Sequence, residues 1–208
     1  TWFRFKDPFY GLGTPVKPLK KLVQSGMLGW PLKVTISKHT GFDWKFFWVG
    51  KTHLEPQAVP EELDYNMWLG PAPMAPYCFE RVRPYTSRPN ESWTRNYSTW
   101  YHISDYCIGF IGNWGIHHLD VAQWGHGSEA TGPVEVEGVG VFPEGGLADC
   151  ALTWQVENRF ADGVTLVHMD DETSKKHPLQ QGGHGHGILF LGTEGWVHVD
   201  REGWDAHP

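Results

Sequence analysis

From residue 134 to its end the sequence is a series of short alternating segments with no helical pattern between them, and this leaves few folds open. Residues 134–141 alternate valine with Glu and Gly; Leu152, Trp154 and Val156 alternate with polar partners; residues 164–169 and 188–191 continue the pattern. Period-two alternation marks strands that bury one face. Parallel neighbours need a long crossover, usually helical, so strands joined by short connections pair antiparallel. Ahead of them, residues 14–26 read as a helix: Thr14, Pro15 and Pro18 suit its entrance, Leu19, Leu22 and Val23 share a face, and Gly26 suits its end. Residues 33–40, with Val34 and Ile36 alternating, read as a strand. A second helix is expected over 113–126, with Asn113 as N-cap and the glycines at 125, 127 and 132 ending it. The expected class is α+β, an open, mostly antiparallel sheet with its helices on one face.

Between residues 41 and 112 the chain is irregular, with prolines at 56, 60, 71, 73, 76, 84 and 89 and many aromatics. A stretch this long without regular structure is expected to wrap the sheet or line a cleft. Residues 172–187, polar and glycine-rich, are expected to form a mobile loop.

Composition excludes several classes of function. The 208 residues are 40% hydrophobic and 20% charged, with a mean hydropathy of −0.42, which fits a soluble globular chain. A net charge of −7 with no basic stripe argues against nucleic acid and against an anionic membrane surface. The longest apolar runs, at 46–49 and 188–191, are far too short to cross a bilayer. The first residues hold neither an initiator Met nor the apolar core of a signal peptide. The compartment is therefore left open between cytoplasm and, had a leader been lost, periplasm. Cys78, Cys107 and Cys150 show no CxxC spacing and read as small buried hydrophobes.

A dinucleotide-binding chain needs a glycine turn leading from a strand into a helix. Gly125-His-Gly127-Ser-Glu-Ala130 fits the letters, but it follows a helix and runs into Gly132-Pro133. A metal is weakly indicated by His184-Gly-His186, which has no third ligand at a defined spacing. Asn90-Glu-Ser92 and Asn96-Tyr-Ser98 fit the glycosylation sequon.

The stretch from Gly109 to Trp124 carries the most chemistry. At about 100° per residue, Asn113, His117 and Asp120 fall on one side of the expected helix. That groups an amide, an imidazole and a carboxylate. Histidine moves protons near neutral pH, and a carboxylate one turn away can fix its tautomer. A capping Asn, a packed His and a surface Asp would give the same spacing.

Asn113-Trp-Gly-Ile-His-His-Leu-Asp-Val-Ala-Gln-Trp124 resembles the D-W-G-x-H-x-x-D helix start in the C-terminal domain of the Gfo/Idh/MocA oxidoreductases. Leu22-Val-Gln-Ser-Gly-Met-Leu-Gly29 is similar to the helix leading into that domain. Leu63-Asp-Tyr-Asn-Met-Trp-Leu-Gly-Pro-Ala-Pro73 resembles the W-l-GPAP segment of the bacterial-type branch. Gly132-Pro-Val-Glu-Val-Glu137 and Phe190-Leu-Gly-Thr-Glu-Gly-Trp196 match further stations. The likeness runs from about residue 14 to 200.

The resemblance implies a two-domain oxidoreductase in which an N-terminal Rossmann domain binds NAD or NADP. The second domain, dihydrodipicolinate-reductase-like, holds a small carbohydrate-like substrate such as a sugar or cyclitol. Residues 1–30 would then be the interdomain remnant and first helix, and 31–208 the substrate-binding domain, a fragment cut at both ends and inactive alone. In that picture His117 exchanges a proton with the substrate hydroxyl, and Asp120 orients it or binds substrate. Asn113 stands where many members have Asp, and as an amide it cannot ionise. Tyr77, Arg81 and Tyr106 are the expected substrate contacts, since aromatic faces and a guanidinium suit polyols and acids. A homo-oligomer through the sheet is expected as well. Two alternatives stand beside this reading: a metal-dependent keto-sugar lyase or hydrolase on the same scaffold, and a non-catalytic sugar-binding or oligomerisation domain.

Overall fold

A computed structural model of the chain describes residues 16–38, 55–82, 99–113, 115–128, 131–144, 147–180, 187–200 and 203–207. Two compact units emerge. The first takes its residues from Thr1–Thr40, Trp114–Gly140 and Thr153–Pro208, the second from Gly41–Asn113 and Val141–Leu152.

The first unit is built on a seven-stranded sheet. Its strands are β1 (Lys33–Lys38), β2 (Glu135–Val141), β3 (Thr153–Arg159), β4 (Thr165–Asp170), β5 (Gly187–Leu191), β6 (Trp196–Val199) and β7 (Trp204–His207), in the spatial order β2-β3-β4-β1-β5-β6-β7. Pairings of β3 with β4, β1 with β5, β5 with β6 and β6 with β7 are antiparallel. β1 runs parallel to β4, with Ile36 opposite His168. The sheet is thus open and mixed, mostly antiparallel, as the short connections predicted. β1, from far upstream, enters between β4 and β5, strands made later.

Alternation along β1 sorts the two faces of the sheet. Val34 and Ile36 join Leu166, Ile188, Phe190, Val197 and Val199 in the main core. Covering them are Leu19 and Val23 of helix α1 (Val16–Gln24) and Val121 and Ala122 of the long helix Gly115–His126. The intervening Thr35 and Ser37 point the other way and are also buried. Ser37 Oγ lies 2.7 Å from Ser174 Oγ. Gln180 Nε2 donates to Thr35 Oγ1 at 2.6 Å. The two longer helices therefore lie on one face, and the short segment 171–180 closes on the opposite one.

That closure corrects the expectation of a mobile loop from residue 172. A helical turn, Asp171–Ser174, and a 3-10 turn, Pro178–Gln180, occupy the described part, with Asp171, Ser174 and Gln180 buried. Asp170, fully buried, caps the turn: Oδ1 accepts the Glu172 and Thr173 amides, and Oδ2 accepts the Thr173 hydroxyl and the Trp154 amide. The last two strands are additions to the expected set. Each has four residues, too few for alternation to show, and β5 turns into β6 through a Gly192 N–H to Gly195 O bond of 2.8 Å.

Among its described residues the second unit has short elements: α2 (Tyr65–Leu69), α3 (Phe79–Val82), a 3-10 turn (Thr99–His102) and α4 (Phe110–Asn113). Asp64 starts α2 by accepting the Met67 amide on Oδ1 at 3.0 Å, and Gly70, at φ +57°, ends it. Tyr65, Leu69 and Tyr77 form its small core, with Leu63, Trp68, Val82 and Tyr106 packed against them. The segment 149–150 is tied to the turn before it. Asp149 accepts the Ser104 amide and hydroxyl at 2.7 Å each, and the Asp149 and Cys150 amides donate to His102 O.

Candidate functional site

The helix Gly115–His126, α5, carries two of the three residues in the proton-moving constellation. Gly115, His118, Val121, Ala122 and Gly125 are its buried positions and lie on the side toward the sheet. Both glycines are sites of close approach. A Cβ on Gly115 would lie 2.7 Å from Cε1 of His168 in β4, and one on Gly125 would lie 2.7 Å from Cζ of Phe190 in β5. The helix can rest on the strands only because these two positions carry no side chain. His118, 1% exposed, is part of that buried side.

With the buried side fixed, His117 and Asp120 are turned away from the sheet, and both are half-buried. They are three residues apart, so one turn of helix separates them on a shared side. At the far end of the same helix, Trp124 is covered by Lys20 of α1, whose Nζ stands 4.8 Å from the indole ring centre. His117 is neither sealed in the core nor fully open. A partly shielded imidazole can bind a hydroxyl and still exchange its proton with solvent.

Asn113 departs from the sequence expectation. It is the last residue of α4 rather than the N-cap of the long helix, which begins at Gly115. A separate helical turn, Phe110–Asn113, takes up the position expected for the cap. His184 and His186, the pair weighed for a metal, lie outside the described residues, as do Asn90 and Asn96. Among the described residues no group of three or more His, Cys, Asp or Glu is placed to hold a metal.

In the second unit, Tyr77, Arg81 and Tyr106 come together. Arg81 Nη1 donates to the Tyr106 hydroxyl at 3.3 Å. Tyr77 is only 5% exposed, and its ring meets Tyr65 edge-on at 5.4 Å, so it supports the site from within. Trp68 stacks on Tyr65 at 5.8 Å and meets Tyr106 edge-on at 5.0 Å. Burial drives the Tyr65 phenol above its ordinary pKa, and its hydroxyl donates to Ala75 O at 2.9 Å. An open hollow beside these rings is bounded by Trp68, Trp100, Asp105 and Tyr106 among others. Trp100 and Asp105 were missed in the sequence. They stand more than thirty residues from Trp68, and no motif joins them.

A second acid–base pair was also missed. His126 Nε2 lies 2.7 Å from Asp162 Oδ2, joining the end of α5 to the turn between β3 and β4. Partial burial works to raise the Asp162 pKa. The hydrogen bonds from His126 and the Val164 amide outweigh it and hold the carboxyl below its ordinary value. The Trp30 indole N–H donates to the Asp162 backbone O at 3.1 Å, and the pair serves as a fastening at the surface.

Residues 12–194 match the oxidoreductase family, C-terminal alpha/beta domain. The chain belongs to the Gfo/Idh/MocA oxidoreductase family. The part of the family that it matches is the C-terminal alpha/beta domain. Two solved structures are similar at 14% identity. The WlbA dehydrogenase from Bordetella pertussis, in complex with NADH and UDP-GlcNAcA, gives a TM-score of 0.45 over 92% of this chain and 43% of that one. An oxidoreductase from Thermotoga maritima gives 0.41 over 93% of this chain and 43% of that one. The chain thus spans less than half the length of either. A search of curated proteins finds no relative of this chain.

The nicotinamide dinucleotide implied by the family does not fit the described residues. A dinucleotide needs a glycine turn that opens a helix, with amides aimed at phosphate. Here Gly125 and Gly127 close a helix instead: Gly127, at φ +89°, donates its amide back to Gln123 O at 2.9 Å. Among the described residues, no helix is long and apolar enough to cross a membrane.

Proposed function

We propose that this chain is the substrate-binding part of an NAD(P)-dependent oxidoreductase acting on a sugar, cyclitol or derivative, and that His117 is its proton relay. The observation that carries the reading is the placement of His117, half-buried in the first turn of α5 on the side away from the sheet, with Asp120 one turn on. The neutral imidazole takes the proton of the substrate hydroxyl when that carbon is oxidised and returns it in the reverse direction. Asp120 orients the ring or holds a neighbouring hydroxyl. Asn113 binds a hydroxyl as a neutral amide, so His117 draws no charge support from it. Arg81 and Tyr106 contribute substrate contacts, with Tyr77 behind them. The dinucleotide is held by other parts of the longer protein, and this chain's own residues bind the substrate and move the proton.

The same reading has copies of the chain associate through the sheet. Strand β2 is exposed along its whole length, with Val136, Val139 and Val141 open to solvent. Light scattering on the purified chain should give a mass above one chain, and Val139→Lys should return it to a monomer.

The proton relay is tested by labelling the histidine rings and titrating a panel of sugars, cyclitols and sugar acids by NMR. The His117 resonances should move with at least one ligand class. In the longer protein, His117→Ala should lower turnover by about 10²–10⁴-fold. Unmoved His117 resonances across the panel, or wild-type turnover in that variant, would remove the relay.

A further inference from the structure

We propose that Cys107 and Cys150 are a redox pair that closes an intramolecular disulfide when the chain meets a hydroperoxide, with Cys107 as the attacking thiol and Cys150 as the resolving one. Both belong to the second unit. Neither takes part in the proton relay, so this inference does not rest on the function proposed above.

Folding packs one thiol onto the backbone of the other. The Cys150 S–H donates to the Cys107 carbonyl oxygen at 3.2 Å, although 43 positions separate them in sequence. Both cysteines are tied to one turn: the Cys150 amide donates to His102 O at 3.2 Å, and the Cys107 amide donates to Ile103 O at 2.9 Å. Gly109 completes the approach. At φ +72°, its ideal Cβ would lie 2.8 Å from Cys150 Cβ and 3.5 Å from Cys150 Sγ, so the chain just after Cys107 lies against the Cys150 side chain where no larger residue would fit. The oxygen that the Cys150 thiol touches is two bonds from the Cys107 Cα. Side-chain rotation and a small backbone adjustment are all that joining the sulfurs requires, since disulfides hold their Cα atoms about 4.4–6.8 Å apart.

Exposure assigns the two roles. Cys107 is half-buried and within reach of a small oxidant, whereas Cys150 is 4% exposed. Burial also raises the Cys150 pKa, which leaves it little thiolate with which to meet an oxidant itself. In the first step the Cys107 thiolate attacks the O–O bond of the hydroperoxide. An S–O bond forms, the O–O bond breaks, the departing oxygen takes up a proton as an alcohol or water, and Cys107 becomes a sulfenic acid. In the second step the Cys150 sulfur attacks the Cys107 sulfur. The S–S bond forms, the S–O bond breaks, and the hydroxyl leaves as water with the Cys150 proton. Together the two thiols lose two electrons and the hydroperoxide gains them.

The burial that slows the second step makes the bond durable. A reductant reaches the Cys107 sulfur, the leaving group is then Cys150, and a thiol of raised pKa leaves slowly. Cys78 serves as the internal control: it is 2% exposed and its electrostatic neighbours are Tyr65 and Arg81.

The experiment treats the intact, reduced chain with a small molar excess of hydrogen peroxide near neutral pH, blocks remaining thiols with iodoacetamide in denaturant, and maps the peptides without reduction. The map should contain one linked pair, joining the Cys107 and Cys150 peptides and lighter by two hydrogens than their sum, with Cys78 carbamidomethylated. The linked chain should melt about 4–16 °C above the reduced one, as expected for closing a loop of this length. Dithiothreitol should reduce the link at least about tenfold more slowly than it reduces glutathione disulfide. Cys150→Ser, whose hydroxyl can still donate to Cys107 O, should stop at the sulfenic acid, which dimedone captures on Cys107. Cys107→Ser should give neither a link nor a dimedone adduct on Cys150. No link in the parent chain, a link that involves Cys78 or joins two chains, or Cys107 carried on to the sulfinic acid with Cys150 still free would each overturn the proposal. So would a linked chain whose Tm is no higher than that of the reduced one. The parent chain's map decides the matter even if a variant fails to fold.

Discussion

Gly115 and His168 are in direct contact across the helix–sheet boundary: the space where a Gly115 side chain would begin is occupied by the His168 ring, whose Cε1 lies 2.7 Å from the ideal Cβ position. The start of α5, and with it the position of His117, is set by that contact. Gly115→Ala should therefore destabilise the fold despite the better helix propensity of alanine. The expected net loss is about 1–2 kcal/mol: overpacking costs about 1–3 kcal/mol, and the propensity gain, about 1 kcal/mol in a helix interior, is smaller at this first helical position. At about 2–4 °C per kcal/mol for a chain of this size, thermal denaturation should show the fall clearly. An unchanged or raised Tm would mean that the ring moves aside at no cost.

Asp170 should be among the costlier polar residues to remove. It is fully buried and accepts four hydrogen bonds. Asp170→Ala should cost about 2–4 kcal/mol, combining the loss of a cap with an unpaired buried amide at Trp154. Asp170→Asn should cost less, because its oxygen can still cap the helical turn while its NH2 faces the Trp154 amide. Urea denaturation gives the magnitudes, and hydrogen exchange at the Trp154 amide should accelerate in both variants.

Much of this architecture was readable in advance, and the exceptions have physical causes. Leu19, Val23, Val34 and Ile36 announced the first helix and strand because their spacing matches the period of each element. Asp171–Ser174 did not announce itself: its stabilisation comes from Asp170 and from Ser37 on the sheet face beneath it, neither of which shows as local hydrophobic period. Strands β6 and β7 are held as much by their neighbours as by their own four residues each. For the site, the helical spacing of His117 and Asp120 was legible because both lie on one element. The hollow at Trp68, Trp100 and Asp105 was not, because tertiary folding alone brings those three together.

His177 should give the stability a distinct pH dependence. Burial lowers its pKa in the folded chain, although the Glu157 carboxylate works the other way. The unfolded state thus binds the proton more readily, and stability rises with pH across the interval between the two values. The contribution is complete above about pH 6.5 and is lost as the pH falls through the folded-state value. His177→Gln should flatten the Tm-against-pH curve between about pH 7.5 and 5 relative to the parent. Equal slopes in the two proteins would assign the dependence to another group.

Cys150 should resist thiol reagents while the chain is folded. Burial and the nearby Asp149 carboxylate push its pKa up to about 12, and the thiol donates to Cys107 O at 3.2 Å. The thiolate, which is the reactive form, is then scarce at pH 8. Mass spectrometry after brief iodoacetamide treatment should find Cys150 unmodified in buffer and fully modified in strong denaturant. Rapid labelling of the folded chain at that position would contradict this placement.

The central place of β1 has a consequence for how the protein is made. This strand leaves the ribosome before either of its hydrogen-bonding neighbours, β4 and β5, which are encoded more than a hundred residues later. During synthesis its two edges therefore stay bare, and sequence-distant closure of this kind is slow and prone to mispairing. The nascent chain must keep a half-apolar ribbon shielded until its partners emerge, so yield on expression should depend on chaperone supply and on growth temperature.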